Sequence, residues 1–340
     1  MITISVCMIV KNEEAVLARC LDSLAGIADE IVIVDTGSTD GTKEIAARYT
    51  DRIYDFVWVD DFAAARNFAF SKATMDYIYS ADADEVLEEN DRKKFLQLKE
   101  VMLPEIEIVE MIYVNPAECN MVYNFIKEPR PKLFKRLREF RFIDPIHETV
   151  ALDPVVYSSD IEVQHRPQAS HAARDFAAME RELKRRGTLS DRLFSMYAKE
   201  LFISGTEADF TTALKWFEKR SRDERTSGDG HLEAICVVAK TYALQGKWEA
   251  LLALLLPRVA QGGKLPAELY FLLGEYYEGT ERETAIQWYS KAAFEAECYV
   301  CISYGGAAAL KKIVRLLKEQ GRTEEAMQYE EILRKERMQA

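Results

Sequence analysis

The sequence predicts an α/β domain followed by an all-α domain, and three observations predict it. Four apolar runs, at 3–10, 30–34, 53–59 and 76–81, alternate with stretches of helical periodicity, the pattern of a parallel sheet with helices on its faces. Each of the last three runs stops at acids, namely Asp35, Asp60-Asp61 and Asp82. From residue 167 onward almost everything has a helical period, with small and aromatic residues recurring at similar spacings. The expected boundaries are therefore 1–166 for the α/β domain and 167–340 for the helical one.

Size and charge bound the reading. The 340 residues suffice for two cores, and 48% hydrophobic with 30% charged residues marks a globular chain. A formal net charge of -12 argues against nucleic acid and against an anionic membrane surface as partners. Six scattered cysteines form no disulfide framework, so a cytoplasmic location is expected. Cys298 and Cys301 form a CxxC in a stretch that reads as helix, with no second pair, and they are expected to be buried helix cysteines. The apolar N-terminus is short and ends at Lys11-Asn12-Glu13-Glu14, so it reads as a strand and neither as a signal peptide nor as a membrane span.

Taken in order, the first run is a buried strand, and Val16, Leu17, Leu21 and Leu24 share one face of a helix that Gly26 ends. The second strand runs into Asp35-Thr36-Gly37-Ser38-Thr39-Asp40-Gly41-Thr42. Here Gly37 permits a tight turn, and Ser38, Thr39 and Asp40 are candidate caps for the helix that follows. The third strand is followed by a helix from Phe62 to Ala73 carrying Arg66 and Asn67, and the fourth ends in Asp82-Ala83-Asp84-Glu85. Parallel strands place these ends at one edge, where ligands of open α/β sheets bind. Two carboxylates one residue apart suit a divalent cation that can hold a diphosphate. No GxGxxG follows the first strand and no GxxxxGK[ST] is present, so the site is neither a dinucleotide fingerprint nor a P-loop. Beyond Glu107 the segments 108–114, 121–126, 132–137, 146–152 and 160–165 read as further strands, forming an antiparallel extension. The basic run from Arg130 to Arg141 reads as a solvated strand face, with phosphate or acceptor contact as the alternative.

The segments 4–24, Ile31 to Thr42, Asp61-Phe62-Ala63-Ala64-Ala65-Arg66-Asn67 and Asp82-Ala83-Asp84-Glu85 together resemble the family 2 glycosyltransferases, in the family's order and over roughly the first 165 residues. The resemblance implies a GT-A fold, a nucleotide-diphosphate sugar donor and inversion at the anomeric carbon. It implies that Asp35, with Ser38 beside it, meets the nucleoside, that Val10 and Glu13 line its pocket, and that Asp82 approaches the ribose or the metal. Asp84 would bind manganese or magnesium. Asp35-Thr36 stands where many members have two acids, so a second acid's role is lost. Arg66 is the expected second cation for the leaving phosphates, with a surface helix position as the alternative. Arg130-Pro131-Lys132-Leu133-Phe134 and His147-Glu148 resemble a further part of the family pattern. They make His147 the expected third metal ligand, Glu148 the base that takes the acceptor's proton, and Asp144 the reserve base.

In the helical half, Tyr270-x-x-Leu273-Gly274-x-x-Tyr277 with Gly279, Ala285 and Tyr289 resembles a tetratricopeptide repeat, echoed by Tyr242, Gly246 and Ala250, and more faintly around Gly205 and Gly321. Such arrays present a groove, and the expected occupant is a peptide or protein acceptor. A homodimer through the helical domain is the alternative. The chain is thus similar to repeat-containing transferases that modify peptides or proteins. A lipopolysaccharide-core or other glycan transferase and a non-catalytic repeat scaffold are the competing functions.

Overall fold

A computed structural model describes residues 1–115, 127–150, 153–167, 172–226 and 228–339. The described residues up to Ala178 form one compact unit, and those from Met179 onward form a second.

In the first unit, β1 (Ile4–Val10), β2 (Glu30–Asp35), β3 (Ile53–Asp55) and β4 (Tyr77–Ala81) run parallel, and α1 (Leu17–Ser23), α2 (Thr42–Ala46) and α3 (Phe62–Phe70) connect them. After β5 (Glu85–Val86) and α4 (Glu89–Val101), the chain returns as β6 (Ile108–Val114), β7 (Lys127–Lys135), the short β8 (Phe142–Ile143) and β9 (Thr149–Val150), and β10 (Val156–His165). The eight-stranded sheet has the order β3-β2-β1-β4-β7-β6-β10-β5, and β8 with β9 makes a separate two-stranded sheet. The extension is mixed: β7 is antiparallel to β4 and β6, whereas β10 lies parallel to β6.

Strand alternation builds a core on each face. Ile4, Val6 and Met8 of β1 pack with Leu17 and Leu21 of α1 and with Phe95 of α4. Cys7, Val32, Val34 and Ile78 turn the other way, toward Ala63, Ala69 and Phe70 of α3. Phe70 meets Phe134 and Phe142 edge-on at 5.5 and 5.0 Å, contacts worth about 0.5–1.5 kcal/mol each beyond their burial. These rings fix the separate hairpin β8–β9 beside α3.

Several local expectations are corrected. β3 ends at Asp55 rather than at 59, because the edge strand leaves the ladder and Val57 and Val59 stand 85% and 58% exposed. Of the strand expected over 146–152, only Thr149–Val150 pair among the described residues, because His147 has a φ of 49°, which a strand does not accommodate. The strand expected at 121–126 lies outside the described residues.

The second unit is helical. α5 (Ala172–Arg186) begins in the first unit and continues from Met179 in the second, where it leads to α6 (Asp191–Ser204), α7 (Glu207–Ser221), α8 (Gly228–Leu244), α9 (Trp248–Ala260), α10 (Ala267–Tyr277), α11 (Arg282–Phe294), α12 (Ala307–Glu319) and α13 (Thr323–Gln339). Ser190 caps α6, and Thr206 with Asp209 forms a reciprocal capping box on α7. α7–α8, α10–α11 and α12–α13 pack as hairpins. Gly274 earns its place in the repeat pattern: a Cβ there would sit 2.6 Å from the Tyr289 ring of α11. The CxxC is not helical. Buried Glu268 accepts N–H bonds from Tyr299, Val300 and Cys301, and these backbone groups therefore form a loop after α11. Lys240 of α8, Glu275 of α10 and Lys312 of α12 are linked by ion pairs of 4.0 and 3.3 Å.

Candidate active site

Val10 and Asp35 are register partners on adjacent parallel strands, and Met8 pairs with Ala81 on the other side, so the loops after β1, β2 and β4 leave the same sheet edge. The first two loops are stitched together. Asn12 N–H donates to Ser38 Oγ at 3.0 Å, and Asn12 Oδ1 accepts from Thr39 N–H at 2.8 Å. Glu13 N–H donates to Thr42 Oγ1 at 2.7 Å, and Glu14 Oε2 accepts from Gly41 N–H at 2.7 Å. Asn12 takes a left-handed φ of 57° to do this, a conformation Asn tolerates better than most residues. The expected nucleoside loop is therefore preorganised by hydrogen bonds between the two loops. Ser38 takes part through its hydroxyl, while Val10 is buried in the core and its carbonyl accepts from both the N–H and the hydroxyl of Thr36.

Asp35 closes a tight turn. Its Oδ1 accepts N–H bonds from Gly37 and Ser38, each at 2.9 Å, and Gly37 sits at φ 103°, which only glycine adopts readily. Its Oδ2 is buried and has no hydrogen-bond partner. A buried acceptor left orphaned at a strand's carboxyl end is costly unless a ligand satisfies it.

Glu13, Asp82 and Asp84 act on one another. Burial, and then the charges of Asp84 and Asp82, push the Glu13 carboxyl up to about 7, while Arg174 opposes the shift. Asp84 Oδ2 stands 3.1 Å from His165 Nε2, and His165 Nδ1 stands 3.2 Å from Asn115 Oδ1. His165 is the last residue of β10, paired with Glu85 of β5. The sequence reading did not single it out. Its place as the final residue of a strand pairing with the acidic motif was the available signal, but strand pairing is a tertiary fact. Behind the motif, Glu85 lies against Lys132 at 2.7 and 2.8 Å with both side chains buried. Burial pushes Glu85 up and Lys132 pulls it back.

Arg66 is where the structure departs most from expectation. Its Nε donates to Glu148 Oε1 at 2.7 Å, its Nη2 to Asp82 Oδ1 at 3.2 Å and its Nη1 to Ser80 Oγ, and the guanidinium lies 5.5 Å from the Phe142 ring. The side chain is 12% exposed. Burial works against its charge, but the two carboxylates hold its pKa even higher than usual. Burial likewise raises Asp82, yet Arg66 and Lys132 hold it well below the ordinary carboxylate range. Arg66 is thus a buried tie between Asp82 and Glu148 rather than a cation presented to phosphates. Its neighbours have matching tasks. Asp61 caps α3 through Ala64 N–H, and Asn67 grips Phe142 through both its N–H and its C=O. Phe62 N–H donates to Pro145 O in the β8–β9 turn that carries Asp144, His147 and Glu148.

Manganese and magnesium are commonly held by one or two carboxylates together with phosphate oxygens and water. The donor set fits such a cation: Asp82 and Asp84 lie one residue apart just past the end of β4. Asp84 and Asp82 are the residues that would hold it. Among the described residues, however, no three His, Cys, Asp or Glu converge as a ready cage, so the trio Asp82, Asp84 and His147 is not preassembled. Asp82 Oδ1 is engaged by Arg66 and Asp84 Oδ2 by His165.

A parallel α/β sheet whose strand ends gather Asp35 and the acidic pair Asp82 and Asp84 at one edge defines the class as a GT-A-type domain. Residues 5–147 match the model described as Glycosyl transferase family 2. The first unit carries a family 2 glycosyltransferase domain, and a tetratricopeptide-like helical array follows it. A TPR repeat-containing protein of Synechococcus elongatus is 34% identical over 151 residues, covering 44% of this chain and 36% of that protein. The SPbeta prophage-derived glycosyltransferase SunS of Bacillus subtilis is 33% identical over 161 residues, 47% of this chain and 36% of its own. The lipopolysaccharide core biosynthesis glycosyltransferase LpsC of Rhizobium meliloti is 35% identical over 99 residues, 28% of this chain and 36% of its own. The chain thus spans little more than a third of the length of each of these relatives. A solved structure of glucosyl-3-phosphoglycerate synthase from Mycobacterium tuberculosis is 17% identical, covers 56% of this chain and 81% of that one, and has a TM-score of 0.41, a likeness that carries no argument. No helix among the described residues is long and apolar enough to cross a membrane.

Proposed function

We propose that the first unit transfers a sugar, with inversion, from a uridine-diphosphate sugar to a side-chain hydroxyl or thiol of a peptide or protein. The observation that carries the donor half is the gathering, at one sheet edge, of Asp35 with its orphaned acceptor and of Asp82 and Asp84 acting jointly on Glu13. Asp35 Oδ2 suits the N–H of a pyrimidine base. A bound divalent cation supplies charge neutralisation for the diphosphate. Asp84 orients toward that charge with His165 fixing its carboxylate, as outer partners of metal ligands do. Glu148 is the proposed base, with Asp144 in the same turn as reserve, and Arg66 fixes the Glu148 carboxylate. The acceptor's oxygen or sulfur bonds to the anomeric carbon, its proton passes to Glu148, and the carbon–oxygen bond to the β-phosphate breaks with its electron pair left on the diphosphate.

The acceptor half rests on the helical hairpins after Met179 and on a relative named for its repeats. A glycan acceptor is the second reading, favoured by similarity to a protein named for lipopolysaccharide core synthesis. Calorimetry of uridine and guanosine diphosphates with and without manganese tests the donor. Manganese-dependent binding with uridine diphosphate tighter supports it, and tighter guanosine diphosphate binding overturns the base assignment. Labelled donor supplied with a peptide and with an oligosaccharide tests the acceptor. Label moving to the oligosaccharide alone overturns the peptide reading.

A further inference from the structure

We propose that Arg174 is the fixed cation that meets the donor's diphosphate, an inference that rests on the donor reading above. Arg66, the cation the sequence suggested, is committed to Glu148, Asp82 and Ser80 and is almost fully buried. A diphosphate entering a site lined by Glu13, Asp82 and Asp84 still needs positive charge on the protein side. Arg174 lies on α5, beyond the segment that matches the family model yet within the first compact unit. Its guanidinium stands 5.1 Å from the centroid of the Phe62 ring, at the first residue of α3 and therefore at the strand-end edge. Phe62 N–H in turn donates to Pro145 O in the turn that carries His147 and Glu148, so the guanidinium stands where that turn meets the carboxyl edge of the sheet.

The surroundings fix this guanidinium without consuming it. Asp175 Oδ1 accepts from Nε at 2.9 Å, and the Phe62 ring supports the plane, while the side chain stays 52% exposed. A guanidinium has five N–H donors, so a bond through Nε leaves the amino nitrogens to donate in the forked geometry that matches phosphate oxygens. As the bond to the anomeric carbon breaks, one further negative charge collects on the β-phosphate, and a prepositioned cation gains most at that moment.

The test is calorimetry of uridine diphosphate, uridine monophosphate and uridine, each with manganese, on the full chain and on Arg174→Ala and Arg174→Lys. The expected result is that Arg174→Ala weakens uridine diphosphate about tenfold or more while uridine is unchanged, and that Lys restores part of the loss. If wild type prefers the diphosphate and Arg174→Ala keeps that preference in full, the Arg174 assignment is overturned and the donor reading stands. If Arg174→Ala weakens all three ligands equally, Arg174 supports the fold of the site, and the assignment is again overturned. If wild type binds no nucleoside diphosphate at all, the donor reading itself falls.

Discussion

Arg66 Nε lies 2.7 Å from Glu148 Oε1, across 82 residues of sequence, and the same guanidinium reaches Asp82. One buried cation thus spaces the proposed base from the acidic motif. Arg66→Lys keeps the charge and loses the fork. Its expected effect is a fall in kcat of about 10²-fold with unchanged nucleotide affinity, since misplacement of a reacting group by an ångström costs that much. Arg66→Ala leaves two carboxylates without their cation and should also cost about 3–5 kcal/mol in urea unfolding. A Lys variant with wild-type kcat would falsify the positioning role.

Asp84→Ala should abolish manganese-dependent nucleotide binding, because the diphosphate's charge is then poorly neutralised. His165→Ala should lower manganese affinity about 10–100-fold through the lost second partner of Asp84, with nucleotide affinity in EDTA unaltered. Titration in parallel with His147→Ala tells which imidazole serves the cation. An equal loss in both conditions for His165→Ala makes His165 a structural residue.

Asp35→Ala removes the orphaned Oδ2 and also the two bonds that close the Gly37–Ser38 turn. Uridine diphosphate affinity should fall by more than tenfold, with one buried charged hydrogen bond accounting for about 1.5–3 kcal/mol. Asp35→Asn keeps an acceptor for the turn, so uridine binding that survives in Asn and fails in Ala would mean that the turn, and not the base contact, is what matters.

Gly274→Ala sets two effects against each other. Helix propensity favours Ala over Gly by about 1 kcal/mol. The new Cβ would meet the Tyr289 ring at 2.6 Å, and that ring is held by its hydroxyl on Glu278 and by edge contact with Phe271. Overpacking of this kind costs about 1–3 kcal/mol, so net destabilisation of up to about 2 kcal/mol is expected in a denaturant melt of the helical unit. A stabilised variant would show that α10 and α11 can separate slightly at no cost.

The alternation of apolar runs and helical periods was enough to predict β1 to β4 as a parallel sheet, because burial on both faces writes itself locally as unbroken Val and Ile. Asp35, Asp82 and Asp84 were legible for a related reason: a parallel strand's carboxyl end is known once the strand is. The period of small and aromatic residues likewise announced the helical hairpins, and Gly274 against Tyr289 shows what that period encodes. What the local pattern could not contain was who meets whom across the sheet. His165 reaches Asp84 because β10 pairs with β5, and Arg66 is spent on Glu148 because the aromatic cluster of Phe70, Phe134 and Phe142 seats the β8–β9 hairpin on α3. The loop at Cys298–Cys301 arises because a buried glutamate 30 residues upstream captures its N–H groups. Propensity and period act over a few residues, whereas the partners of a buried charge are chosen by packing between segments far apart in the chain, and that choice belongs to the tertiary structure alone.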